Sequence, residues 1–209
     1  MTTVADRPLR ADAARNAERI LRAARKVYGE LGPDAPIGAI ALRAGLGERT
    51  IYRRFPSKSD LVRAALDQSI AEDLSPVMEQ ALHAEDPLHG LTVLIEAAVS
   101  LGAREHHILA AARRAGALTA DVSTDLNKAL GALARRAQQA GLVRADLVGD
   151  DLPRIVVMLN SVLWTMELGS DGWRRYVALM LDAITTDDRR PLPRAAALRS
   201  APATSSWPL

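Results

Sequence analysis

The sequence contains no cysteine among its 209 residues. That absence removes disulfide frameworks, thiolate zinc sites and thiol nucleophiles, and it suits a reducing, cytoplasmic setting. Aromatic side chains are scarce as well, with three Trp, three Tyr and one Phe. No apolar run approaches the roughly 20 residues that a membrane span needs, so no membrane partner is expected. Residues 1–14 mix Arg, Asp and Thr without an apolar stretch, and read as a mobile arm rather than a signal peptide. No glycine-rich phosphate loop, nucleophile motif or paired-carboxylate spacing of a general acid/base site is present, and no HxxxH, ExxH or HExxH spacing occurs. An enzyme, a metal site and a cofactor are therefore not expected.

Alanine and leucine dominate what remains, at about a third of the chain. Both are strong helix formers, and β-branched residues are sparse, so the fold class is all-α. The formal net charge of +2 conceals an asymmetry. Residues 1–66 carry 13 Lys/Arg against 7 Asp/Glu, residues 67–188 carry 10 against 18, and residues 189–209 carry four Arg and no acid. A basic head on an acidic body is the footprint of a nucleic-acid-binding head, although solvated charges distributed by chance would look the same.

Hydrophobic periodicity predicts about nine helices. Ile20, Ala24, Val27 and Leu31 form one face of a first helix, widened by Leu21 and Tyr28 and stopped by Gly32-Pro33. A short second helix buries Ile37, Ile40, Ala41 and Ala44, with Pro36 in its first turn and Asp34 as its expected cap. Gly45-Leu46-Gly47 makes a tight turn into a third helix, Glu48 to Phe55, and Ser57 with Asp60 forms a carboxylate version of the capping box for a long fourth helix to about Leu82, kinked at Pro76. Further helices open at Asp86-Pro87, at His106, at Asp121 or Ser123, at Asp150/Asp151 and at Asp171 or Gly172. Beyond Thr186, proline, serine and charge replace the apolar pattern, and residues 187–209 read as a disordered tail.

The stretch from Ile40 to Lys58 is helix, glycine turn, short helix. Ile40, Ala41, Leu46, Ile51 and Phe55 close a miniature core, and Glu48, Arg49, Thr50, Arg53 and Arg54 are left facing outward. A helix-turn-helix needs this arrangement, because the N-terminal residues of its second helix must reach base edges in the major groove. Glu48 is expected to meet DNA beside Arg49 and Thr50, which read bases, and Tyr52, Arg53 and Lys58 to grip phosphates. Arg7, Arg10 and Arg15 suit either a minor-groove arm or solvated disorder.

The run from Arg19-Ile-Leu-Arg-Ala-Ala through Gly45-Leu-Gly to Thr50-Ile-Tyr-Arg-Arg-Phe-Pro-Ser-Lys-Ser-Asp-Leu-Val resembles the TetR family of bacterial transcriptional regulators over about residues 15–66. Asp34-Ala-Pro, Gly47 and the segment at 140–147 look like a subgroup common in actinobacteria. Family members often carry Ser or Thr where this chain has Pro36 and Gly47, so contacts at Pro36, Ile37 and Gly47 fall to backbone groups. Gly38 and Ala39 stand where a polar or basic side chain is usual. The resemblance implies an N-terminal three-helix DNA-binding domain at 15–60 and a helical regulatory and dimerisation domain at 61–186.

It also implies a small-molecule pocket in the body. Met78, Leu94, His106, His107, Arg113, Met158 and Trp164 are the candidate linings, for a mainly apolar or aromatic effector. Plain core or dimer packing would use Trp164 and the methionines equally well. His106 and His107, being adjacent, should point to different faces and cannot easily share an ion. The helix at 151–168 is apolar on nearly every side, and a helix apolar all round must be buried all round. Laid with the helix at 171–186 against the same pair from a second chain, it predicts a homodimer through Leu159, Val162, Leu163, Trp173, Tyr176 and Met180. The expected function is a ligand-responsive regulator, most simply a repressor, that binds a near-palindromic double-stranded operator as a dimer and is released by a small molecule. The alternative is a helical adaptor without specific DNA binding.

Overall fold

A computed structural model describes residues 6–118, 123–167, 169–185 and 192–193, with the side chains of 6–11 and 13 outside that description. Ten α-helices follow one another: α1 (Asp6–Leu31), α2 (Ile37–Ala44), α3 (Glu48–Arg54), α4 (Lys58–Ser69), α5 (Ser75–Leu82), α6 (Pro87–Arg104), α7 (His106–Arg114), α8 (Thr124–Gln139), α9 (Asp151–Val162) and α10 (Trp173–Thr185). With α4 and α5 taken as the single long fourth helix of the sequence reading, the described residues hold nine helices and no strand, an all-α fold. None of these helices is long and apolar enough to cross a membrane.

Between α4 and α5 the ladder loosens into a π turn, Ile70–Leu74. Its position follows from Pro76, which lacks an N–H and whose ring crowds the carbonyl four residues back, at Glu72. The break therefore falls one turn ahead of the expected kink. At Ser57 the capping box is present. Its backbone N–H donates to Asp60 Oδ2 at 3.0 Å, and the Asp60 N–H donates to Ser57 Oγ at 3.1 Å. Asp86 likewise accepts from the Leu88 N–H at 2.9 Å to open α6. Asp34 does not cap α2. The N-cap is Pro36, and the Asp34 carboxylate instead pairs with Arg114 at 2.5 Å. Asp121 and Val122, Leu168, and residues 186–209 apart from Leu192 and Pro193 lie outside the described residues.

The helices form two compact units, one of Met1–Ser69 with Glu105–Leu118 and the other of Ile70–Arg104 with Thr119–Leu209. The grouping differs from the sequence reading at both ends of the head. Helix α1 begins at Asp6, inside the stretch read as a mobile arm. Helix α4 and the distant α7 join α1–α3, although both were read as part of the body.

Burial and charge explain why α7 belongs there. Glu105, 7% exposed, takes both Nε (2.8 Å) and Nη2 (2.6 Å) of Arg25 on its Oε1, and Ser69 Oγ donates to the same oxygen at 3.1 Å. Residues of α1 and α4 meet on the carboxylate that precedes α7. At the other end of α7, Arg114 holds Asp34, and Ser59 Oγ donates to the Ala115 carbonyl at 3.2 Å.

In the second unit, Leu91, Leu94, Ile95 and Val99 of α6 pack with Leu130 and Leu133 of α8, Leu152 and Leu159 of α9, and Trp173 and Val177 of α10. Helix α6 lies close to α5 at Gly90, where a Cβ would stand 2.6 Å from the Ala81 carbonyl oxygen. Helix α9 approaches α6 at Gly102, where a Cβ would collide with the Asn160 amide at 1.7 Å. Arg136 donates to the Leu82 and Ala84 carbonyls at 2.7 and 2.6 Å, closing the end of α5.

Removing one member of a buried ion pair leaves an uncompensated charge, whereas replacing both with apolar groups does not. Arg25→Met is expected to cost about 3 kcal/mol of unfolding free energy. The double variant Arg25→Met/Glu105→Leu should recover most of that loss in urea denaturation. A double variant as unstable as the single one would show that the pair is not the controlling interaction.

Candidate nucleic-acid interface

The turn between α2 and α3 is set by Gly45, whose φ of 63° and ψ of 37° lie in the left-handed region. The Leu46 N–H returns to the Ala41 carbonyl at 3.0 Å, and Arg19 Nη2 donates to the Ala44 carbonyl at 2.7 Å, so the C-terminus of α2 is closed from α1. A Cβ at Gly45 would come within 3.2 Å of that guanidinium. Glycine is required here for conformation and for space together. Gly47 differs: its backbone is extended and open space surrounds it, so only its missing hydroxyl sets it apart from a serine or threonine.

Helix α3 then divides its sides. Ile51 is buried, and so is Phe55 just beyond the helix, as are Ile40 and Ala41 of α2. Glu48, Arg49, Tyr52, Arg53 and Arg54 are exposed, and Thr50 is half-buried. Arg54 lies over the Phe55 ring at 5.5 Å, which leaves Arg49 and Arg53, one turn apart, as the outward cations. Lys58, at the start of α4, is half-buried with Nζ 5.7 Å from the centre of the Tyr28 ring. Of the nine residues expected to meet DNA, eight are exposed or half-buried in this unit. Ile37 is the exception. Its side chain is 8% exposed because it belongs to the buried side of α2, so only its backbone N–H can serve. Pro36 is the N-cap of α2 and carries no N–H, which makes Ile37 the first donor of that helix. Arg15 is exposed and pairs with Asp12, and the side chains of Arg7 and Arg10 lie outside the described residues.

The expected pocket residues are divided between the two units. His106, His107 and Arg113 belong to the first unit, and Met78, Leu94, Met158 and Trp164 to the second. Leu94 is fully buried core, whereas Met158 and Trp164 are 54% and 63% exposed. Met78 packs half-buried against the core, and His106 and His107 are half-buried in the first unit. The two histidines do not diverge as adjacent helical positions suggest, because their ring centroids are 3.7 Å apart, tilted by 43°. Burial holds both imidazoles below their ordinary range, and His107 adds to the effect on His106. The second unit does carry an open groove of about 420 Å³ lined by Asn127, Lys128, Arg135 and Asp150 among others, which includes none of the expected residues. No group of three His, Cys, Asp or Glu suited to a metal ion occurs among the described residues.

The expected dimer residues also divide. Leu159 and Trp173 face the core of their own unit, at 4% and 3% exposure, and Leu163 and Met180 pack half-buried against it. Helix α9 ends at Val162 and passes into a 3₁₀ turn, Leu163–Thr165, so the apolar helix is shorter than the 151–168 expected. On α9, the turn after it and α10, the exposed large apolar side chains are Val157, Met158, Trp164, Tyr176 and Leu179, of which only Tyr176 was expected at an interface.

Residues 20–65 match the family described as bacterial regulatory proteins, tetR family. No curated protein is significantly similar to the chain. Among solved structures, a TetR transcription regulatory protein from Mycobacterium vanbaalenii is 30% identical, with 86% of this chain and 100% of that one covered and a TM-score of 0.57. A TetR transcriptional regulator from Streptomyces coelicolor is 26% identical over 81% and 98% of the two chains, with a TM-score of 0.59. The regulator FadR from Bacillus subtilis, solved in complex with stearoyl-CoA, shares the fold at a TM-score of 0.66, with 16% identity over 81% of this chain and 97% of that one.

Beneath Lys58, the Tyr28 hydroxyl is buried without a hydrogen-bond partner, and desolvation pushes its pKa up to about 12. An unfolded chain releases the phenolic proton near the ordinary value of 10, so between pH 10 and 12 ionisation favours the unfolded state. Stability should hold through pH 9 and fall as pH rises above about 10, and Tyr28→Phe should abolish that part of the fall. Difference spectroscopy at alkaline pH should place one phenol near 12. A Tyr28→Phe variant with the same alkaline stability profile as wild type would refute the assignment.

Proposed function

The chain belongs to the TetR family of DNA-binding transcriptional regulators, and from that premise we propose that it is a ligand-responsive repressor acting as a homodimer on a near-palindromic operator. The observation that carries this reading is the two-sided third helix. Ile51 anchors it in the core while Glu48, Arg49, Tyr52 and Arg53 are exposed. Arg49, with its planar fork, suits the guanine O6/N7 edge, and Thr50 suits a neighbouring base. Tyr52, Arg53 and Lys58 suit phosphates, joined by the backbone at Ile37 and Gly47. The Asp34-Ala-Pro segment and the Mycobacterium and Streptomyces relatives support an actinobacterial-type member.

The second unit supplies the pairing surface in this reading. Val157 and Met158 on α9, Trp164 just after it, and Tyr176 and Leu179 on α10 leave apolar area in water that a second copy would cover. A two-fold pairing would set two copies of α3 toward half-sites about one turn of DNA apart. For the effector, a mainly apolar or aromatic molecule suits a unit whose interior is almost wholly aliphatic. The stearoyl-CoA bound by FadR, which shares the fold, supports a chain-like apolar effector. Its binding would lower operator affinity by a coupling of about 1–3 kcal/mol.

Mobility shift with the DNA upstream of the gene, at two salt concentrations, tests the whole reading. Arg49→Ala should cost about 1–3 kcal/mol and relax preference at one base step. Lys58→Ala should weaken all sequences alike and reduce the salt slope by about one unit. If both variants bind the selected operator as tightly as wild type, the interface lies elsewhere. Val157→Glu and Leu179→Glu should each give monomers in light scattering, with the helical spectrum retained. A wild type that is itself a stable monomer would refute the pairing.

A further inference from the structure

Glu48 is the single acid between Pro36 and Lys58, on the surface where the proposed function brings phosphates. A carboxylate there lowers affinity unless its oxygens meet donors. In the major groove, cytosine N4 offers a donor that carboxylates accept from, whereas guanine O6 and thymine O4 offer only acceptors. Adenine N6 is also a donor, but its neighbour N7 is an acceptor that would oppose the second carboxylate oxygen.

The carboxylate is not free to sample every direction. It lies against α2 at Gly38, where a Cβ would stand 2.8 Å from Glu48 Oε1 and 3.8 Å from Cδ. Any other residue at 38 would move that oxygen, because the closest atoms are the far end of a flexible side chain while the helix backbone stays in place. Gly38 is half-buried in the first turn of α2, and nothing in its backbone conformation requires glycine there. The missing side chain therefore has one visible consequence, the notch that receives Glu48.

We propose that Gly38 is a positioning residue for operator specificity, and that its notch holds the Glu48 carboxylate so that it accepts a hydrogen bond from a cytosine exocyclic amine at one step of each half-site. This rests on the DNA-reading role of α3 given above. Arg49 and Thr50 read the steps beside it, and Glu48 rejects guanine and thymine at its own step through facing acceptors.

The test is selection of duplexes with randomised half-sites by the full-length protein, followed by sequencing, for wild type, Glu48→Gln and Gly38→Ala. Wild type should enrich cytosine at one step per half-site, and Glu48→Gln should lose that enrichment. Gly38→Ala should reduce it roughly tenfold at that step alone, with the other steps unchanged and thermal stability at or above that of wild type. Unchanged cytosine enrichment in Gly38→Ala, or enrichment flattened equally at every step, would overturn the proposal. A selected operator without a Glu48-dependent cytosine would overturn it while leaving the DNA-binding reading intact. A wild type that selects no sequence would overturn both.

Discussion

One buried carboxylate determines which helices stand together in the DNA-facing unit. Glu105 has lost nearly all its water, and it is stable only because Arg25 of α1 supplies a full opposite charge and Ser69 of α4 a further donor. The three partners lie 80 and 36 residues apart in the chain. Their convergence draws α7 out of the body in which its sequence position places it. The chain therefore passes between the two units three times, after Ser69, after Arg104 and after Leu118. Within the first unit, Glu105 and α7 are bonded to α1, to α4 and to the turn before α2.

Within the first unit, the short helices are positioned more by their neighbours than by their own propensity. Helix α3 has seven residues and no side-chain cap, too little to persist alone in water. It is held by Ile51 and Phe55 on one side and by the glycine turn at its start. Arg19 closes α2 from outside, and the Ser57–Asp60 pair closes the start of α4. With the backbone anchored at both ends, the polar side chains of α3 can be exchanged for different operators without disturbing the core.

The second unit shows an excess of apolar surface rather than a deficit of core. Its interior is filled by α6, α8, α9 and α10, yet Val157, Met158, Trp164, Tyr176 and Leu179 remain in water. Two periodicities are superposed on α9. Leu152, Ile155, Val156 and Leu159 turn inward, and Val157 and Met158 turn outward. A helix with that composition has one apolar side more than its own unit can use, which is the physical condition for pairing.

Much of this was legible in the residues alone. The 3.6-residue spacing of Ile20, Ala24 and Val27, the stops at Gly32, Gly45, Gly116 and Gly141, and the Ser57–Asp60 cap all act within a few residues, and each stands as local chemistry dictates. The division of α3 into an anchored and an exposed side follows from the same local rule. Long-range choices were not legible. Whether Asp34 would cap α2 or meet Arg114, whether Leu94 would line a cavity or fill the core, and which apolar residues of α9 and α10 would stay outside all depend on partners far away in sequence. Periodicity reports that a helix has an apolar side, but tertiary packing decides how much of that side its own protomer covers. Likewise, the sequence displayed an acid beside two histidines at 105–107. Only the fold could bring Arg25 and Ser69 to it, because charge pairing across 80 residues leaves no local pattern to read.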